Sequence, residues 1–318
     1  MKQITEDELR QLGSYWKTKI LLVALRLNIF THLSTPTTAA TLAHTIGADE
    51  AVLKRLLAAL VASGLLTQQQ DQYQNTPIAT EHLMKGTKFW YWAQVDDLLW
   101  HSWEQLEHLI RTGDKPASLF ADPQAALFLS LALYQGSFTA WTRIASEVDL
   151  HTYHTLLDVG GGIGGSTIAL CLQYPHLRAT IVDMPGTVFL LHKMIEKAGL
   201  TGRVRCLAGD VTTDPLLGTF DVIIVSHLIH WLEEQDISRL FRNVYAALAD
   251  DGVMLVRDFF LPLPAHAPPE DIALFNMFLL VQGGSRCFTV AETIHLLTNS
   301  GFTQVQEQLP GELILAQK

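Results

Sequence analysis

The chain has 318 residues, 48% of them hydrophobic and 17% charged, which is enough apolar material for one large or two ordinary globular domains and excludes a disordered chain. Twenty-two Lys and Arg stand against thirty-two Asp and Glu, and the net charge of −10 opposes a polyanionic partner such as DNA. The opening MKQITEDELRQLGSYWK lacks the basic-then-apolar order of a secretion signal, and no run reaches the eighteen or so apolar residues of a membrane span, so a cytoplasmic protein with no membrane partner is expected.

The first hundred residues have a helical pattern. WKTKILLVALRLNIFTHL carries apolar residues at helical spacing, and TTAATLAHTIGADEAVLKRLLAALVASGLL reads as helix, turn, helix, with Gly47 breaking the pair and Asp49 placed to cap the second helix. The polar stretch LLTQQQDQYQNT, ahead of Pro77, suggests a short hairpin around Tyr73, which completes a winged helix-turn-helix. A DNA-binding reading needs a basic recognition helix, and this one offers only Lys54 and Arg55. Burial against a second subunit is the better expectation. From about 89 to 150 the chain is rich in large rings: Trp90, Trp92, Trp100, Trp103, Phe128, Tyr134, Phe138 and Trp141. Most belong to a core or a dimer interface, and some are expected to line a pocket for a flat apolar ligand.

After residue 154 strands alternate with helices. TLLDV, ATIVD, RVRCLAGD, FDVIIVS and GVMLVRD read as parallel strands with helices on both faces. GFTQVQEQL, the turn at Pro310 and Gly311, and ELILAQK add a hairpin that brings an antiparallel strand to that sheet. This predicts an α/β fold with seven strands over residues 106–318, preceded by a mostly helical domain over residues 1–105.

The segment LLDVGGGIGGSTIAL places five glycines between a buried strand and a helix, so that the backbone can approach a ligand closely at a helix N-terminus. Gly160, Gly162 and Gly165 fit the dinucleotide fingerprint, while Asp158, Gly160, Gly162 and Gly164 fit the loop that binds S-adenosylmethionine. Three features favour the second ligand. The sheet closes with a hairpin instead of a second nucleotide-binding half, Asp158 suits the amino group of a methionine moiety, and Asp210 ends the third strand where it can accept from the adenine amino group. Asp183, closing the second strand, serves a ribose under either reading.

With these motifs the chain resembles the class I S-adenosylmethionine-dependent O-methyltransferases of the plant caffeate and the bacterial polyketide or phenazine type. The resemblance runs nearly the full length, through LLDVGGGIGG, IVDMP, AGDV, the segment around His230, VRDFFLP, and a GG followed by FT and NSGF. It implies a homodimer formed through the N-terminal domain, a small-molecule substrate, Asp183 on the ribose, Asp210 by the adenine, and Val211 and Ser226 among the residues lining the cofactor. In such enzymes a hydroxyl oxygen attacks the sulfonium methyl in line, and a histidine removes the proton.

His230, in SHLIHWLEEQD, takes that histidine's place, with Trp231 and Leu232 where the family has aspartate and tryptophan. Asp258, twenty-eight residues on, matches the first of two carboxylates that orient it. Where the second is expected the chain has Arg286, Cys287 and Phe288. Asp258 could instead pair with Arg257 or Arg286. Asn276 and Met277 match substrate-facing positions of the family, and Phe138 and Trp141, from the ring-rich segment before the sheet, are the rings assigned to the substrate. His227 is read as structural, and no metal is expected: His227 and His230 share a face only in a helix, and no further acid, histidine or cysteine completes a ligand set. Cys171, Cys206 and Cys287, odd in number and scattered, read as three buried thiols. The expected reaction is methylation of a hydroxyl on a small aromatic or polyketide-like metabolite. The alternatives are C- or N-methylation or a non-methylating reaction (decarboxylation, hydroxylation, pericyclic rearrangement) on the same cofactor and, more distantly, a DNA-binding regulator.

Overall fold

The computed structural model describes residues 5–6, 8–9, 14–262 and 268–318, so much of the opening stretch read for a secretion signal lies outside the described residues. The chain divides between Trp100 and His101 into two compact units.

The first unit holds helices α1 (Tyr15–Arg26), α2 (Ile29–His32), α3 (Ala39–Ile46), α4 (Glu50–Ala62), α5 (Pro77–His82) and α6 (Lys88–Leu98), with strands β1 (Thr37–Thr38), β2 (Leu66–Gln69) and β3 (Gln72–Asn75). Helix α3 stops at Gly47, whose φ of +68° makes the left-handed turn that an L side chain resists, and α4 starts on Asp49, whose carboxylate accepts the Val52 N–H at 2.9 Å. Leu53, Leu57 and Leu60 form the buried stripe of α4 at helical spacing. The wing is β2 and β3, antiparallel, with β1 pairing on the far side of β3. Lys54, one of the two cations of α4, is held by Glu50 one turn back at 2.6 Å.

The second unit begins with α7 (Leu106–Thr112) and the long α8 (Pro123–Glu147), then alternates β4 (Thr155–Val159), α9 (Gly165–Gln173), β5 (Arg178–Asp183), α10 (Pro185–Lys197), β6 (Val204–Ala208), β7 (Phe220–Ser226), α11 (Glu234–Ala247) and β8 (Leu248–Arg257). It ends with α12 (Glu270–Val281), α13 (Val290–Asn299), β9 (Gln304–Leu309) and β10 (Leu313–Gln317). The sheet order is β6-β5-β4-β7-β8-β10-β9, the first five parallel and β10 antiparallel to both its neighbours, so the expected seven strands and closing hairpin are present. Strand β6 stops at Ala208, two residues before Asp210, which sits in the turn that follows instead of ending the strand.

Side chains alternate between two cores, one on each face of the sheet. Leu156 on β4, with Val222 and Ile224 on β7, joins Trp141, Ile168 and Tyr174 on one face; Leu157, Val159, Ile223 and Val225 join Phe241, Leu297 and Phe302 on the other. Chain direction reverses its spread at β4, flanked by β5 and β7, and this opens a crevice beyond the carboxyl ends of those strands. No helix among the described residues is long and apolar enough to cross a membrane.

Helix α13 carries a full capping box, with the Thr289 hydroxyl on the Glu292 N–H and the Glu292 carboxylate on the Thr289 N–H at 2.7 Å. Thr289→Ala is expected to lower unfolding stability by about 1 kcal/mol, read as a lower urea midpoint with an unchanged slope.

Candidate active site

The glycine loop crosses from β4 to α9 in a conformation that its sequence alone permits. Gly160, Gly162 and Gly164 have φ of +69°, +57° and +83°. A Cβ on Gly161 would stand 2.6 Å from the Asp158 carboxyl carbon, and one on Gly165 2.9 Å from the Tyr134 carbonyl. Gly161 and Gly165 are therefore required for packing, a need that the motif templates did not distinguish from that of their neighbours. Around a Cβ on Gly162 there is open space, which is where a ligand can lie against bare backbone.

Asp158 is fully enclosed, which corrects the expectation that it faces a ligand. It follows Leu157 on β4 and so points to the α9 face, where the Thr167 hydroxyl donates to Oδ2 at 2.7 Å while Oδ1 has no partner. Burial, against the pull of Thr167, raises its pKa from 3.8 to about 7. Asp183 closes β5 half-buried; its Oδ2 accepts the Gly162 N–H at 2.7 Å, and Oδ1 accepts the Met184 N–H and the Thr187 hydroxyl. That carboxylate thus fixes the loop and still meets the crevice. Asp210 is half-buried and held low in pKa by the hydroxyl and N–H of Thr212. Val211 is buried in the second core. The open backbone at Gly162, with two part-exposed carboxylates, one closing β5 and one just beyond β6, fits an adenosyl ligand carrying hydroxyl and amino donors.

Beyond β7 the chain makes a single 3-10 turn, Ile229–Trp231. His230 is 2% exposed, and its Nδ1 lies 2.5 Å from Asp258 Oδ1. Nε2 makes no hydrogen bond among the described residues. Asp258 is buried, also accepts the Phe259 N–H at 2.7 Å, and is held below the usual carboxylate range although burial works the other way, because His230 lies beside it. The alternative arginine pairing does not occur: Arg257 is bound to Glu312 at 3.1 Å, and Arg286 to Glu292 at 2.9 Å.

Rings surround the histidine. Phe275 meets it edge-on at 5.2 Å between centroids, Trp231 lies at 5.4 Å and Phe259 at 6.3 Å, while Phe278 stacks on Phe275 and Phe120 meets Trp231 edge-on at 4.9 Å. Trp231 lies against Gly284, where a Cβ would come within 3.0 Å. Sequence reasoning missed this wall because its members come from four separated stretches of chain. The sole sequence signal was the run of phenylalanines in DFFLP and ALFNMF. Met277 is half-buried on the same helix as Phe275, and Asn276 Oδ1 accepts the Cys287 N–H at 2.8 Å.

Other expectations need correction. Trp141 is fully buried in the first core and not in a pocket; its indole N–H donates to Oγ of the half-buried Ser226 at 3.1 Å, Ser226 continuing the alternation of β7 toward the α8 face. Phe138 is half-buried one turn earlier, packed on Tyr134. Of the cysteines, Cys206 is only half-buried, while Cys287 is buried and its thiol is pushed up to about 12 by that burial, so it offers no second charge beside His230. The fold also gathers His227, His230 and Asp258, with one ligand atom of each within 4.8 Å of the others, a grouping that spacing along the chain did not reveal. The guanidinium of Arg257 occupies His227 Nε2, and the His230 Nδ1 proton is shared with Asp258, an arrangement that opposes a cation at that point.

Because β9 and β10 close the sheet and leave it no second nucleotide-binding half, the glycine loop and its acids define an S-adenosylmethionine-dependent methyltransferase. The chain belongs to the O-methyltransferase family: residues 119–303 match its O-methyltransferase domain, and residues 9–85 match the O-methyltransferase dimerisation domain. It is 30% identical to the 3-hydroxy-5-methyl-1-naphthoate 3-O-methyltransferase of Streptomyces sahachiroi, covering 92% of this chain and 87% of that one. It is 29% identical to the tetracenomycin polyketide synthesis 8-O-methyl transferase TcmO of Streptomyces glaucescens, over 94% and 92% of the two chains. The structure of the mitomycin 7-O-methyltransferase MmcR superposes with a TM-score of 0.86 at 26% identity, covering 98% of this chain and 96% of that one.

A buried acid with a raised pKa stabilises the fold where it is protonated. The contribution of Asp158 is complete below pH about 4 and is lost as pH rises through about 7. Unfolding midpoints of the wild type and Asp158→Asn, measured from pH 5 to 8, should therefore show the wild type losing stability relative to the variant as pH rises.

Proposed function

We propose that the enzyme transfers a methyl group to the hydroxyl of a small, flat aromatic or polyketide-like metabolite, with His230 as general base and Asp258 as its orienting partner. The observation that carries this is the 2.5 Å contact between His230 Nδ1 and Asp258, which leaves Nε2 as the free basic nitrogen inside a wall of phenylalanine and tryptophan rings. The naphthoate-methylating relative supports the substrate class.

Held along the glycine loop, S-adenosylmethionine supplies a methyl group on a positively charged sulfur. The residues of this chain do the rest. Phe259, Phe275 and Trp231 offer ring faces and edges to a planar substrate. His230 Nε2 takes the hydroxyl proton as the oxygen attacks, and the ionised Asp258 stabilises the imidazolium that results. Burial of both groups excludes water from that proton. Asp183 and Asp210 are assigned to the ribose and the adenine, and Gly160, Gly162 and Gly164 to the bare backbone beneath the cofactor. Asp158 acts through the loop, from below.

His230→Ala should lower kcat for hydroxyl methylation by about 10² to 10⁴ while calorimetric binding of S-adenosylhomocysteine stays within about twofold; a loss of less than tenfold would sink the general-base role. The assay is labelled-methyl transfer over a panel of hydroxynaphthoates and simple phenols.

The dimerisation-domain match extends the proposal to a homodimer formed through the N-terminal unit. Outward apolar residues there, such as Trp16, Val52 and Ile78 at 69%, 64% and 54% exposure, suit such a surface. Sedimentation at micromolar concentration should give the mass of two chains, and a persistent monomer would overturn this part.

A further inference from the structure

His227 is a part-buried ionisable group beside the proposed base that the reaction above does not use. Its backbone is unusual: φ is +54°, a left-handed conformation in a residue with a Cβ, and its N–H is tied to the Arg257 carbonyl at 2.8 Å. Such residues are strained and persist where the surroundings demand them. Here the surroundings point the ring between a cation and an anion. Nε2 accepts a hydrogen bond from the Arg257 guanidinium, so the ring proton resides on Nδ1. Nδ1 is buried, has no hydrogen-bond partner, and lies 3.9 Å from Asp258 Oδ1, the oxygen that also takes the His230 proton.

The charged groups that face this ring oppose one another: Arg257 and His230 disfavour a proton on it, and Asp258 favours one. Arg257 stands on its Nε2 side and is itself anchored by Glu312, which Arg143 holds in turn. Asp258 and His230 stand on its other side, and the Phe259 ring lies at 4.5 Å. Burial first, and then Arg257, keep His227 neutral by pulling its pKa down to about 3. It is therefore a fixed donor that never becomes a competing cation beside Asp258.

We infer that His227 is a positioning residue for the base. Locked by Arg257 in one tautomer, it directs an N–H dipole at Asp258, so that one carboxylate, without a second acid, stays ionised and aimed at His230. In the reaction His227 neither gains nor loses a proton; the hydroxyl proton still passes to His230 Nε2. The inference rests on His230 being the base.

Two substitutions separate this from simple packing. Gln at 227 can accept from Arg257 with its amide oxygen and donate toward Asp258 with its amide nitrogen, whereas Phe keeps the ring and loses both. His227→Phe should lower kcat by about tenfold or more, the scale on which outer-shell partners of functional histidines act, with KM and S-adenosylhomocysteine binding within about twofold. His227→Gln should recover most of the loss. The reverse order, Phe active and Gln impaired, would show that the ring only packs on Phe259 and would overturn the inference. Should both variants fail to fold, ¹⁵N shifts of the histidines in the wild-type enzyme decide: protonation of His227 at Nδ1 from pH 6 to 9 is expected, and protonation at Nε2 would overturn it. If His230→Ala keeps full activity, the reading of the base fails first, and the order of the two His227 variants then loses its connection to catalysis.

Discussion

Strand β4 lies between two apolar cores, and its two-residue period governs the site. Because Leu156 and Leu157 point to opposite faces, the next residue, Asp158, must enter the α9 side, where no water reaches it and the hydroxyl of Thr167 is its one partner. The loop that follows then has to pass directly over that carboxyl group, and only glycine at 161 leaves the room. The same period on β7 sends Ser226 to the face of Trp141 and ends the strand where the chain must turn to place His230 at the crevice.

From that geometry follows an arrangement of charge rather than of contact area. One carboxylate, Asp258, is buried without a water-filled shell, and its ionised form persists because imidazole and backbone N–H groups surround it. Arg257, its neighbour in sequence, is turned away to Glu312 by strand alternation, and Arg286 is drawn off to the capping acid Glu292. Each cation that could have neutralised Asp258 thus has a carboxylate of its own, which leaves Asp258 to the histidines.

Much of this was legible in the chain. The five parallel strands and the closing hairpin follow from apolar runs bounded by turn residues, and the glycine loop from residues that have no other reason to cluster between a strand and a helix. His230 and Asp258 were legible through the resemblance, since nothing local marks residues twenty-eight apart as partners. Less was legible where a side chain's direction decided its role. Trp141 read as a pocket ring and is a core residue; Asp158 read as a ligand contact and lies beneath the loop; His227 and His230, three apart, were given separate roles, and the fold brings both to Asp258. The aromatic wall was invisible because Phe120, Trp231, Phe259 and the helical pair Phe275 and Phe278 converge from separate parts of the chain.

The sequence by itself determined the order of strands and helices, the glycine loop and the chemical types available at the crevice, because periodicity and backbone freedom are local properties of the chain. Which acid is buried and which half-exposed, which arginine is paired with which carboxylate, and the tautomer imposed on His227 were decided only in the tertiary structure. Burial and hydrogen-bond partners depend on what other segments bring to the same point, and no local pattern encodes that.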